Sequence, residues 1–397
     1  MTHHADATHS LSPRAPHTRA PRRRGVALPV ALMAIVLMAA MVAGASYFAM
    51  QNGRQADNTR RVEKSFAVAE AATAEFVRTW TPATYNLKAV GSNTPFSQAT
   101  SPLGGGTYQG SVTKFTQKTF LLDLTAWDSV NTKARGGGAR QRVGTLLRLV
   151  PINVDIQSAL TTLGPVAFGG GNVFIEGNDA LPPTWPSTQC PPLGANLAGI
   201  RSQKIGDLPS SQGQFHGAPD SLVSPALDTS ALTQFGTTNY VTLAASRNVK
   251  ITPGMYATGP NPNSATGPCV PGQTNWGDGQ TLTNACGNYY PIVYDSGAGT
   301  TTISSGQGQG ILLVDGNLTI SGNWTFWGVV IVKGKLMTSG AASPKIYGAV
   351  LAGGIDFTST SGSGSAVVNY SSCSVSRSLD ANGMATPVRS RGFIRMQ

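Results

Sequence analysis

The feature that most limits what this chain can become is an uninterrupted apolar run near its start. From Val26 to Met50 the sequence reads VALPVALMAIVLMAAMVAGASYFAM, 25 residues without a charged side chain. Wound as a helix at about 1.5 Å per residue, such a run is longer than the ~30 Å hydrocarbon core of a bilayer. Arg22, Arg23 and Arg24 stand just before it, and clustered cations stay on the cytoplasmic side. One membrane-spanning helix is therefore expected, with its N-terminus in the cytoplasm and everything after Met50 exported.

A cleaved secretory signal has the same basic-then-apolar order, but its apolar core covers only about 7–15 residues. The chain also continues as a helix instead of breaking. Val62, Phe66, Ala69, Thr73, Phe76 and Trp80 recur at steps of three and four, while Arg61, Lys64, Glu70, Glu75 and Arg78 take other faces. Pro82 then stops it. The reading is one helix of about fifty residues, oily over 26–50 and amphipathic over 51–81.

These residues carry a family resemblance. RRRGVALPVALMAIVLMAAM followed by FAVAEAA resembles the N-terminal region of PilX-type minor pilins, over about residues 20 to 80. The resemblance implies a basic leader, residues 1–25, removed by prepilin peptidase between Gly25 and Val26. It further implies a helix held in the inner membrane until it packs beside those of other pilin subunits. Two positions depart from the commonest pilin pattern. Val30 stands fifth after the implied cut, where major pilins carry a glutamate, which argues against a self-polymerising major subunit. Pro29 falls in the first helical turn, where its missing N–H is not needed. An ordinary uncleaved signal anchor is the plainer alternative.

Only 12% of the residues are charged, whereas Gly (47) and Pro (25) are abundant, a composition of turns and short strands. Residues 82–165 form an expected β-rich connection, with runs at 117–124 and 143–156 and a loop at Arg135 and the glycines after it. Residues 166–397 carry a cadence. ILLVDGNLTISG from Ile311, VVIVKGKLMTSG from Val329 and AVLAGGIDFTS from Ala349 repeat strand, glycine turn and strand at offsets of 18 and 20. A near-fixed period of this kind is what stacked coils require. Residues 167–178 share it, which leaves a loop-rich insertion at about 178–305 with further strands near 248–256 and 289–295. The fold class expected is a long N-terminal helix with a mainly-β ectodomain, a β-solenoid or β-helix similar to those behind PilX-type N-termini. A β-sandwich is the alternative.

Cys190, Cys269, Cys286 and Cys373 all follow the apolar run. An even count on the exported side points to disulfides, with three pairings open. The short, turn-rich separation favours Cys269 with Cys286, leaving Cys190 with Cys373. Zinc is the rival use, but no C-x-x-C occurs.

Chemistry is sparse. Four of five histidines, His3, His4, His9 and His17, lie in the leader, leaving His216 in a loop-like GQFHGAP. Triads, haem and histidine-rich metal sites need more than that. The glutamates are Glu63, Glu70, Glu75 and Glu176, so paired-carboxylate glycosidase chemistry would fall to aspartates. Asp315 and Asp356 lie near coil turns, but Lys333 interrupts them. Trp276, Trp324 and Trp327, in Gly-rich turns, either stack on sugars or pack internally. The formal net charge of +11 is partly leader arginines, leaving about +7 spread without an aromatic-laced stripe, so nucleic acid is not an expected partner. Expected partners are other pilins, prepilin peptidase, the inner membrane and a surface ligand or polysaccharide, with no cofactor. The expected role is non-catalytic: pilus assembly, priming or adhesion. A type II secretion pseudopilin and a membrane-anchored β-helical carbohydrate-active enzyme are the alternatives.

Overall fold

The computed structural model describes residues 27–128, 139–169, 172–190, 193–209, 214–236, 238–358, 364–388 and 394–396. The loop expected at 135–138 lies outside them. The chain divides into two units, Met1–Glu63 and Lys64–Gln397.

Helix α1, Ala27–Arg78, runs through the boundary between them. In the first unit every residue from 27 to 50 is exposed except the half-buried Gly44. Leu28, Met33, Ile35, Met41 and Phe48 are each more than 60% exposed. A helix oily on all faces is stable only where something apolar surrounds it. By length and composition α1 is sufficient to span a bilayer.

In the second unit the last turns of α1 become one-sided. Ser65, Val68, Ala69, Ala72 and Thr73 are buried, a three-four stripe offset from the one expected, on which Phe66 is half-buried and Thr73 and Ala69 are shared. The stripe faces an antiparallel sheet ordered Asn93–Thr100, Thr107–Thr116, Thr119–Trp127, Arg140–Val150 and Met384–Pro387, with Ile394–Met396 also paired to Arg140–Val150. Phe120, Leu122, Leu124 and Ala126 alternate inward at 0% exposure, as the period-two pleat dictates. Phe76, Trp80, Tyr85 and Phe120 form a ring cluster with centroids 4.7–6.1 Å apart. After Arg78 the chain enters the one-turn helix α2, Pro82–Tyr85, with Pro82 at its start.

Asn86, 1% exposed, joins these parts. Its Oδ1 accepts from Trp80 Nε1 at 2.8 Å. Its Nδ2 donates to the carbonyls of Asp380 (2.7 Å) and Gly383 (2.9 Å) at the end of a later helix, carbonyls that a helix C-terminus leaves without internal partners.

The rest of the unit is built from parallel ladders. One runs Val249–Ile251, Ile292–Asp295, then residues 311–314 of Thr300–Val314, 329–332 of Asn323–Thr338 and 349–352 of Ser343–Phe357, then Ser158–Thr162, Ala198–Ser202 and Ser221–Val223. Its columns are Ile311, Val329, Ala349 and Leu312, Val330, Val350, Leu160. A second stacks Leu318, Leu336, Ile355 and Val166. A third stacks Phe326, Ile346, Val368, Ile175 and Phe215. The chain thus enters mid-stack at residue 158, climbs to 223, restarts at the other end near 249, and winds back until 343–370 meets 158–176.

Residues 311–314, 329–332 and 349–352 are buried at nearly every position instead of alternating. Their inner side faces the stack. Helices α3, Ser230–Thr233, and α4, Tyr240–Ala245, bring Leu232, Phe235, Tyr240 and Leu243 into the same core. Strands covered on both faces read as continuous apolar runs. Helix α5, Ser372–Ala381, covers another side through a serine face: Ser374 Oγ donates to the Tyr347 carbonyl at 2.7 Å, and Ser371, Ser374 and Ser378 are at most 1% exposed.

Beneath α5 lies a column of three aligned glycines, Gly310, Gly328 and Gly348, all with φ between 104° and 148°. A Cβ on Gly328 would sit 2.0 Å from the Gly310 carbonyl oxygen and 2.4 Å from Ser378 Oγ. Gly328→Ala is expected to lower unfolding free energy by at least about 2 kcal/mol. Gly340→Ala, also at positive φ but with open space around it, should cost about half that or less. Guanidinium titration of both variants checks the contrast, and equal losses would refute steric crowding as the cause. Asn86→Ala strands the Trp80 N–H and the α5 carbonyls together, at a cost of about 2–4 kcal/mol. Thermal unfolding followed by Trp fluorescence measures it.

Candidate functional site: an apolar helix and a basic cleft

The sequence-predicted processing residues, Arg22, Arg23, Arg24, Gly25 and Val26, lie outside the described residues. The described helix starts at Ala27, and Val30 on it is 59% exposed. No carboxylate occurs between 27 and 56. Chemically this surface can dissolve in lipid or pack against similar helices.

The four cysteines form two disulfides. Cys269 and Cys286, 17 residues apart, have Cα atoms separated by 4.9 Å; Cys190 and Cys373, 183 residues apart, by 5.2 Å. Cys373 opens α5, so this bridge fastens α5 to the loop after Trp185.

The polar residues considered for catalysis are engaged locally. Asp315 accepts from Tyr294 Oη at 2.6 Å and from Lys333 Nζ at 2.7 Å. Burial pushes its carboxyl up, but Lys333 and Tyr294 together hold it below the ordinary value. The neighbouring Asp295 is wholly buried and raised, by burial and, more weakly, by the Asp315 charge, against the Thr301 hydroxyl it accepts from. Asp356 accepts from both the backbone and hydroxyl of Thr358, a turn contact. His216 is exposed beside the Phe174 ring, 5.7 Å between centroids. Asn317 Oδ1 accepts from Lys335 N, an asparagine stacking contact. Among the described residues no group of three or more His, Cys, Asp or Glu is placed to hold a metal ion.

Trp276, Trp324 and Trp327 are 0%, 1% and 3% exposed, so they pack internally and none is a sugar platform. Trp324 stacks on Phe326 and Trp327 on Tyr347. Their glycine-rich flanks suit close packing as well as open turns, and sequence alone does not separate the two.

The second unit also contains a cleft of about 500 Å³ that spacing gave no sign of. It is lined by the segment after α2 (Asn86–Val90), Lys114 of the antiparallel sheet, Gln117 and Lys118 in the turn that follows its strand, Thr188 and Gln189 beside Cys190, Asn288, and Ser376, Arg377 and Asp380 of α5. Arg377 is fixed: its Nε donates to Tyr290 Oη at 2.8 Å, its Nη1 to the Gln189 carbonyl and its Nη2 to Asn288 Oδ1. Lys118 Nζ is 3.8 Å from an Asp380 oxygen. Lys114 is 3% exposed; its Nζ donates to the Asn86 carbonyl at 2.5 Å and lies 5.6 Å from the Phe120 ring centre. Its ammonium is pulled down to about 8, chiefly by burial, with Asp380 partly opposing and Arg377 adding to the drop.

No family model and no curated protein matches the sequence. Among solved structures, the crystal structure of competence-associated pilin ComZ from Thermus thermophilus aligns over 85% of this chain and 96% of its own, at 10% identity and a TM-score of 0.23. A likeness at that score carries no argument, and the functional reading rests on this chain's own residues.

The depressed Lys114 sets a pH dependence. Unfolded, the lysine keeps its proton to near 10.5; folded, it releases it near 8. Between those values the unfolded chain binds more protons, so stability gains with rising pH in that window. Lys114→Met should lack the gain. Denaturant midpoints at pH 7.5 and 10 check it: the wild type should rise relative to the variant, and parallel behaviour would count against a buried ammonium.

Proposed function

We propose that this chain is a pilin-like envelope protein: a minor pilin or pseudopilin, anchored by α1 and acting through protein contacts in a type IV pilus or related assembly. The single observation that carries the reading is α1 itself. Its first half is apolar on every face and exposed over 27–50, it follows Arg22–Arg23–Arg24–Gly25 in sequence, and it passes without a break into a one-sided stretch seated on a β-rich unit. A membrane anchor alone needs only the first of these features. Extraction into a bundle of like helices needs a charge-free rod attached to a folded head, the arrangement this reading assigns to α1.

In this reading Gly25 and Val26 flank the peptidase cut, the arginines hold the leader inside, and residues after Met50 are periplasmic or carried on the surface. The missing acid at Val30 assigns the subunit to an initiating or minor position. The head is read as a β-solenoid, because parallel columns at offsets of 18 to 20 residues recur on three ladders. Its role is structural and adhesive; the engaged states of Asp315 and Asp356 offer no free acid-base pair.

N-terminal sequencing of the protein expressed with and without prepilin peptidase tests the reading. The expected start is Val26 only when the peptidase is present, and Gly25→Val should block it. An intact leader in both strains would sink the processing assignment, and a start well beyond Met50 would sink the anchor as well.

A further inference from the structure

The cleft beside Lys114 contains a charge with no counter-charge at ion-pair distance. Among the described residues Lys114 makes no ion pair, and its ammonium donates to one backbone carbonyl, whereas an ammonium has three donors. A buried cation left in this state costs free energy unless an anion or further acceptors reach it. The surrounding walls are cationic too. Lys88 and Lys118 are exposed at the rim, and Arg377 is held rigidly by three acceptors on two segments. Asp380 is the opposing acid of the lining, and burial pushes it up, with Lys118 and Lys114 acting against that.

The remainder of the lining is neutral and mixed. Gln117, Thr188, Gln189, Asn288 and Ser376 supply amides and hydroxyls, and Leu87, Ala89 and Val90 supply an apolar strip. Cations, hydroxyl-recognising groups and apolar side chains lining one cleft match a ring that carries hydroxyls, C–H faces and one acidic group. The volume, about 500 Å³, falls in the usual range for small-ligand clefts.

We propose that this cleft binds an acidic saccharide, one sugar or two, whose carboxylate or phosphate reaches Lys114 and Arg377 while Lys88 and Lys118 attract it electrostatically. All of the lining belongs to the second unit, so the site stands whether or not the chain is a pilin.

The test uses the full-length protein in a polyoxyethylene detergent, which contributes no sugar headgroup, with binding followed by titration calorimetry or ligand-observed NMR. The probes are glucuronate, glucose 6-phosphate, glucose and inorganic phosphate. One or both acidic sugars should bind at least tenfold more tightly than glucose, and more weakly as salt is raised. The tighter of the two identifies carboxylate or phosphate as the group recognised. Lys88→Glu/Lys118→Glu, at exposed positions, should weaken binding at least tenfold with the circular dichroism spectrum unchanged, and Lys114→Met should abolish it. Affinity should also fall as pH passes through about 8, where Lys114 loses its proton. Failure of both acidic sugars to bind, equal binding of glucose, or indifference to the double charge reversal would overturn the proposal. Inorganic phosphate binding as tightly as the sugars would overturn its saccharide half.

Discussion

A parallel strand in a ladder has no hairpin partner to complete it; its inner face is dry only while strands above and below keep register. That constraint governs most of the second unit. The columns Ile311–Val329–Ala349 and Leu318–Leu336–Ile355 hold apolar groups over one another, and a one-residue slip would move each set to the opposite face of its strand, for Leu318 the less buried one. The glycine column fixes the register from the other direction. Carbonyls come so near Gly310, Gly328 and Gly348 that a shifted strand would bring a side chain into the same space. Hydrophobic columns thus favour the register, and glycine sterics forbid its neighbours.

The two large sheets of this unit obey different rules, and polar contacts tie them together. Asn86 spans the end of α1, the antiparallel sheet and the last carbonyls of α5 with its amide and backbone oxygen. Cys190–Cys373 fastens the opposite end of α5. Helix α5 is therefore held at its first turn by a covalent bond and at its last by hydrogen bonds, with a serine face pressed to the strands between. The basic cleft lies along it, and that is why Arg377 and Asp380 meet residues from such distant parts of the chain.

Much of this was legible from residues alone. The apolar run and the three-four period foretold α1, and the strand-glycine-strand cadence foretold strands whose offsets of 18 and 20 recur as ladder register. Both signals are periodic, one at three to four residues and the other at 18 to 20. The illegible parts depend on partners far along the chain. Asn86 reads as an ordinary loop amide until residues nearly 300 positions later supply its acceptors. Lys114 lies on a strand whose exposed and buried faces both carry polar residues, so no alternation announces that it is buried. The tryptophans stayed open between a surface and an internal role because glycine serves open turns and tight packing equally well. Continuous burial at 329–332 needed the covering helices α3 and α4, whose short, mixed sequences give little periodic signal.

The Arg140–Val150 strand is completed by Met384–Pro387 and Ile394–Met396, the last strands described. A chain emerging from its N-terminus thus offers one bare strand margin until the more than two hundred residues after Val150 have followed. Whatever shields that margin in the interval, a chaperone or simply the speed of synthesis, decides whether the nascent chain matures or sticks to other copies of itself.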